Sequence, residues 1–248
     1  MNKAQLTEKL IEKMRVLGYK EHWINNTVDW INRLNNVRVD GVGKLIRKML
    51  KVNSKLECSD FIAALRFTNI LARHNFKEIQ LEPYASGPDI KARWNRKFMY
   101  FEVTRRRPEV DEWVDDFDLD NLPLETPENI ISKIHAKVRQ LKYGEINVVV
   151  FWSDTSRVKP DEMSKAFEFI RDEIKRNPGT YNKLSGVLFT ENEAINVNRL
   201  KQYYLFPNEN ALRPIGPRLA NKLNNLLVYD RKQLERRYAR WRRPKLHS

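Results

Sequence analysis

Apolar positions recur at helical spacing from the start of the chain: Leu6, Leu10, Ile11, Met14 and Leu17, with Gly18 stopping the run. A second apolar stripe follows in Trp23, Ile24, Val28, Trp30, Ile31 and Leu34. The turn Asp40-Gly41-Val42-Gly43 then leads into a short basic helix ending near Leu50. A further helix is expected from Ser59, where Ser59 or Asp60 can satisfy free backbone amides at a helix start, and Phe61, Leu65, Ile70 and Leu71 give it an apolar face. The period then changes. Lys77 to Glu82, Asp89 to Ala92 and Lys97 to Thr104 alternate as strands, with Gly87-Pro88 marking a turn between the first two. In the third strand Phe98, Tyr100, Glu102 and Thr104 share one face and Met99, Phe101 and Val103 the other. A helix is predicted over Pro127 to Tyr143, with Pro127 suited to its first turn. Asn147 to Trp152 is apolar on both faces, the pattern of a central strand covered on both sides. A helix from Pro160 to Arg176, a short buried strand from Gly186 to Thr190, and C-terminal helices over Leu219 to Leu227 and Arg231 to Arg242 complete the sequence.

This order predicts an α/β fold: a mixed central sheet flanked by helices, with an N-terminal helical extension and C-terminal basic helices. The expected division is an accessory helical region over 1–56, a core over 57–210 and a basic helical extension over 211–248. The chain of 248 residues has no run long and apolar enough for a membrane span, and no apolar stretch follows the N-terminus as a secretory signal would, so a cytoplasmic protein is the expectation. A single cysteine, Cys58, excludes an internal disulfide and a cysteine-based zinc site, and the four histidines show no paired ligand spacing. No serine sits in a Gly-x-Ser-x-Gly elbow.

Charge narrows the function. Lys and Arg number 46 against 32 Asp and Glu, a formal net charge of +14. The distribution is uneven. Between Pro108 and Glu128 there is no Lys or Arg, while Glu109, Asp111, Glu112, Asp115, Asp116, Asp118, Asp120, Glu125 and Glu128 make the segment strongly anionic. The remainder is strongly cationic, which suits a polyanion, because neutralising phosphates releases condensed counterions. In the tail, Arg236-Arg237-Tyr238-Ala239-Arg240-Trp241-Arg242-Arg243-Pro244-Lys245 interleaves six cations with two aromatic rings; arginines grip phosphates while rings stack on bases.

The candidate chemistry lies in the strands. Twelve residues separate Asp89 from Glu102, so Asp89 can start one strand of a hairpin with Glu102 beside it on the next. Two adjacent carboxylates repel, and a divalent cation relieves the repulsion; one or two carboxylates plus waters suit Mg²⁺, or Mn²⁺. Asp89 after Gly-Pro also fits a plain turn residue. Glu102, between Phe101 and Val103, is costly to bury without a partner.

Pro88-Asp89 followed by Glu102-Val103-Thr104 resembles the two motif elements of the PD-(D/E)XK nuclease superfamily, over roughly residues 57–190. The resemblance implies a restriction-endonuclease-like core and a Mg²⁺-dependent hydrolysis of phosphodiester bonds, with Asp89 and Glu102 as metal ligands. It also implies a further acid from the preceding helix; Asp60 is the candidate, with Glu57 in reserve, and Asp60 serves equally as a helix cap. A Lys or Gln from the following helix is implied in turn. Lys133, Lys137 and Gln140 stand at i, i+4 and i+7 there, with Lys137 and Gln140 as candidate catalytic residues. Thr104 occupies the place of the motif lysine, so either Lys137 or Lys133 substitutes for it or the site has lost catalysis.

Arg105, Arg106 and Arg107 directly follow the motif and are expected at the mouth of the cleft. With Lys133, Arg237, Arg240 and Trp241 they are the candidate nucleic-acid contacts. Asp40-Gly41-Val42-Gly43-Lys44-Leu45-Ile46 resembles the glycine turn of helix-hairpin-helix modules, which present amides to DNA phosphates, but lacks the small residue usual later in that motif. The expected partner is nucleic acid, DNA ahead of RNA, with no membrane; a homodimer stays open as an assembly. Two other functions compete: binding nucleic acid without cleavage, which Thr104 favours, and a protein-interaction module in which the acidic segment docks on a basic partner or folds back over the basic face.

Overall fold

The computed structural model describes residues 2–84, 86–105, 126–152, 160–190 and 203–226. The acidic segment over 108–125, Arg106, Arg107, and the tail residues Arg237, Arg240 and Trp241 lie outside the described residues.

The chain opens with α1 (Lys3–Val16), whose start is closed reciprocally: the Gln5 amide donates to the Asn2 side chain at 2.9 Å, and the Asn2 amide donates to Gln5 Oε1 at 3.0 Å. After α2 (Glu21–Asn36) and α3 (Val42–Lys51) comes α4 (Lys55–Arg73). This fourth helix begins four residues before the point expected from the sequence. Ser54 is its cap, accepting from the Leu56 amide at 3.2 Å, and Ser59 instead turns inward, 2.6 Å from the Tyr19 hydroxyl. Asp60 therefore sits inside the helix and does not cap it.

Six strands form one mixed sheet in chain order: β1 (Lys77–Leu81), β2 (Ile90–Trp94), β3 (Lys97–Arg105), β4 (Ile146–Trp152), β5 (Gly186–Thr190) and β6 (Tyr203–Pro207). β1 with β2 and β2 with β3 pair antiparallel, β3 with β4 and β4 with β5 pair parallel, and β6 returns antiparallel on β5. The parallel steps are made through α5 (Pro127–Val138) between β3 and β4, and through α6 (Pro160–Arg176) and the single turn α7 (Pro178–Tyr181) between β4 and β5. The last described helix is α8 (Pro217–Asn224). β6 has no counterpart in the pattern read from the sequence.

β4 is buried along its whole length, as a strand covered on both sides must be. Its alternate residues enter two separate cores. Val148, Val150 and Trp152 join Phe101 and Val103 of β3 under α1–α4, whereas Val149 and Phe151 pack with Ile130, Ile134, Phe167 and Ile170 under α5 and α6. The molecule is thus α/β, with helices on both faces of an open six-stranded sheet. The N-terminal helices α1–α3 share the first of these cores with α4 and the sheet. Each large apolar side chain so buried is worth roughly 1.5–3 kcal/mol. Among the described residues no helix is long and apolar enough to cross a membrane.

α5 also departs from expectation, ending at Val138 rather than near Tyr143. The reason is tertiary. The fully buried Asn147 side chain accepts from the Lys142 amide at 3.1 Å and donates to the carbonyls of Lys142, Glu145 and Lys183 at 2.7, 3.0 and 2.9 Å, and Gly144 adopts φ +72°. These bonds hold the backbone after Leu141 in a turn and take its polar groups out of the helical ladder.

Candidate active site

The hairpin register brings the two motif carboxylates together. Ile90 pairs with Phe101 and Lys91 with Tyr100, so one further step sets Asp89 opposite Glu102. Residues directly opposite in an antiparallel pair project to the same face. The Asp89 carboxylate is fixed across the strands by the Val103 amide, which donates to Oδ2 at 2.8 Å. The turn before it is closed by the Glu82 amide donating to the Asp89 carbonyl at 2.7 Å, with Glu82 at φ +52°.

Glu102 is 1% exposed. Its Oε1 accepts from Lys137 Nζ at 2.5 Å, and its Oε2 is buried with no hydrogen-bond partner. Lys137 arrives from α5 and reaches the carboxylate over the same face that carries Thr104, which is buried two residues further along β3. Burial pushes the Glu102 carboxyl up to about 8, with the Asp89 charge adding to the rise and Lys137 opposing it. Burial likewise pushes Asp89 up to about 6, against the pull of Lys137 and the Val103 amide; Glu82 adds to the rise and Lys48 opposes it. Lys137 is raised, because Glu102 and Asp89 together outweigh its own burial. The site is a pair of carboxyl groups competing for one cation, with one oxygen left over.

The donors fit a divalent metal. An unpartnered buried carboxylate oxygen beside a second carboxylate is costly without a cation, and two carboxylates plus waters suffice for Mg²⁺ or Mn²⁺. Among the described residues no group of three or more His, Cys, Asp or Glu is gathered for a metal ion.

The other expected residues are placed differently. Asp60 is not brought together with the carboxylate pair in a three-acid group. Its Oδ1 lies 3.6 Å from Arg105 Nη1 on the α4 side of the sheet, although its charge is among those that raise Lys137. Arg105 alternates with Thr104 along β3 and turns to the face opposite Glu102, where its side chain is 1% exposed and its Nη1 also reaches the Leu56 carbonyl at 3.5 Å. It therefore does not stand at the mouth of a cleft. Lys133 donates to the Arg105 carbonyl at 3.2 Å and lies 6.0 Å from the Phe151 ring. Gln140 lies beyond the end of α5, exposed, in the turn where its amide donates to the Lys137 carbonyl at 3.0 Å, so the helix face assumed for it does not exist.

Sequence reasoning missed Glu82, Lys44 and Lys48. Glu82 is 9% exposed at the end of β1; Lys48 donates to its carboxylate, and Lys44 Nζ donates to its carbonyl at 2.7 Å. The partners are more than 30 residues apart in the chain, and the only local signal was the basic stripe on α3. No protein-family model, curated protein or solved structure matches this chain.

Proposed function

We propose that the protein is a divalent-metal-dependent nuclease with a restriction-endonuclease-like core, hydrolysing phosphodiester bonds of nucleic acid, DNA ahead of RNA. The observation that carries this function is the Asp89–Glu102 pair: two carboxylates on one face of a hairpin, one of them buried with an oxygen unpartnered, and a lysine in contact. The order of elements is compatible with this reading: a helix, three antiparallel strands, a helix and a parallel strand surround the pair.

Asp89 and Glu102 would hold the cation, Asp89 oriented by the Val103 amide. When bound, such a cation activates water and offsets the charge that builds on the phosphoryl oxygens. Lys137 does what Thr104 cannot. Its ammonium keeps its proton because both carboxylates favour the charged form, and from beside Glu102 it can orient water or neutralise a phosphate oxygen. Glu102 and Thr104 are buried, which strengthens the electrostatic interactions made there.

The test incubates supercoiled DNA, linear DNA and single-stranded RNA with the full chain and Mg²⁺ or Mn²⁺. Cleavage is expected, falling by roughly 10²–10³-fold or more in Glu102→Gln and Asp89→Asn, while binding persists. Equal cleavage by these variants would sink the assignment. The second function, binding without cleavage, is favoured by one observation: the lysine that would act on substrate is already engaged by Glu102, and the strand position of the motif lysine holds Thr104. It requires salt-sensitive binding that is indifferent to divalent metal.

A further inference from the structure

We infer that α3 is a second phosphate-binding element of this site, with Lys44 and Lys48 gripping the backbone of a nucleic acid beside Asp89. The inference rests on the proposed function for the identity of the polyanion. α3 carries Lys44, Arg47, Lys48 and Lys51 and no acid. Lys44, Lys48 and Lys51 stand at i, i+4 and i+7, so they form one stripe, while Val42, Leu45, Ile46 and Met49 face the core. That stripe is fixed against the end of the sheet. The Asp40 amide donates to the Ile79 carbonyl at 3.1 Å, and the Leu81 amide donates to the Asp40 carbonyl at 2.9 Å. Gly41, at φ +84°, passes so close to β1 that a Cβ there would lie 2.0 Å from the Leu81 carbonyl oxygen.

From this position two lysines converge on Glu82, whose own amide bonds the Asp89 carbonyl. Lys48 is near enough to Asp89 that its charge favours the ionised form of that carboxyl. The two members of the Lys48–Glu82 pair are unequal: Lys48 is 39% exposed and Glu82 9%. A half-exposed ammonium on a flexible stem can exchange one carboxylate for a phosphate without breaking the fold. Glu82 thus holds Lys48 in place until substrate arrives, and a strand running past Asp89 meets Lys48 and Lys44 next.

The test is equilibrium binding in EDTA of a labelled duplex DNA and a labelled single-stranded RNA across a salt series. The double variant Lys44→Gln/Lys48→Gln is expected to lose about tenfold in affinity, with a salt dependence shallower by about two phosphate contacts. Lys48→Arg should retain binding, and Glu82→Gln, which frees Lys48, should bind more tightly. Should the double variant not fold, Lys44→Gln, an exposed single change, is expected to reduce the slope by about one. A slope that changes only on DNA or only on RNA assigns the nucleic acid. Affinity and slope unchanged in the lysine variants would overturn the inference even if metal-dependent cleavage is found. Lysine-dependent binding with no cleavage in Mg²⁺ or Mn²⁺ would keep it and sink the nuclease activity instead.

Discussion

The two faces of β3 each hold a buried ion pair, and the two pairs are built differently. On the α4 face Arg105 is enclosed between Asp60 and the Leu56 carbonyl, tying the end of the strand to a helix. On the α5 face Lys137 satisfies one oxygen of Glu102, leaves the other bare and sits beside a second carboxylate. The first arrangement pairs one guanidinium with one carboxylate and joins a strand to a helix. The second sets two carboxyl groups against one cation, and once both are ionised the surplus negative charge is what a metal would relieve. Burial of a charged pair alone thus says little about function; an excess of one sign, held by backbone bonds, says more.

The largest expected effect breaks the α4-face pair. Arg105→Ala leaves Asp60 without this partner and removes packing, and should cost about 2–3 kcal/mol in urea unfolding, toward the lower end for a buried pair because Asp60 is 32% exposed. The folded variant should still respond to Mn²⁺, since its defect lies on the other face. Lys137→Met inverts the pattern: cleavage should fall by roughly 10²-fold, while unfolding at pH 6 shifts by less than about 1 kcal/mol because Glu102, raised to about 8, already holds a proton at that pH.

A pH series without divalent metal sharpens the contrast further. The folded-state pKa of Glu102, about 8, lies above its ordinary 4.5, so between these values the folded protein holds a proton that the unfolded chain has lost. This contribution to stability is fully present below about pH 4.5 and is lost as the pH rises through about 8; Asp89 acts in the same direction at lower pH. The decline should flatten in Glu102→Gln and persist in Arg105→Ala, as followed by thermal unfolding. The smallest effect is expected at Gln140: exposed in its turn, Gln140→Ala should leave cleavage within about twofold of wild type.

The sheet hairpin was readable because its information is local. Strand alternation puts Asp89 and Glu102 on neighbouring strands, the two-residue turn Asn95-Arg96, both at positive φ, sets them opposite each other, and the doubly apolar β4 declares its burial directly. Lys137 was readable as a helix position. Gln140 was not, because α5 is stopped by Asn147, a residue whose bonds reach across the fold and leave no mark in the helical period. Adjacency in sequence does not bring the Arg105 side chain to the carboxylate pair, because the two-residue period of the strand sends it to the opposite face from Glu102. The Lys48–Glu82 contact joins α3 to the end of β1 and depends on the close approach of Gly41 to Leu81, which no pattern along the chain encodes.

The most direct measurement is a calorimetric titration of Mn²⁺ into the full chain at pH 8, for wild type, Glu102→Gln, Asp89→Asn and Arg105→Ala. Saturable binding in wild type and Arg105→Ala, lost in the two carboxyl variants, is the expected result. Binding that is the same in all four proteins, or absent from wild type, would contradict the assignment of Asp89 and Glu102 as the metal-holding pair.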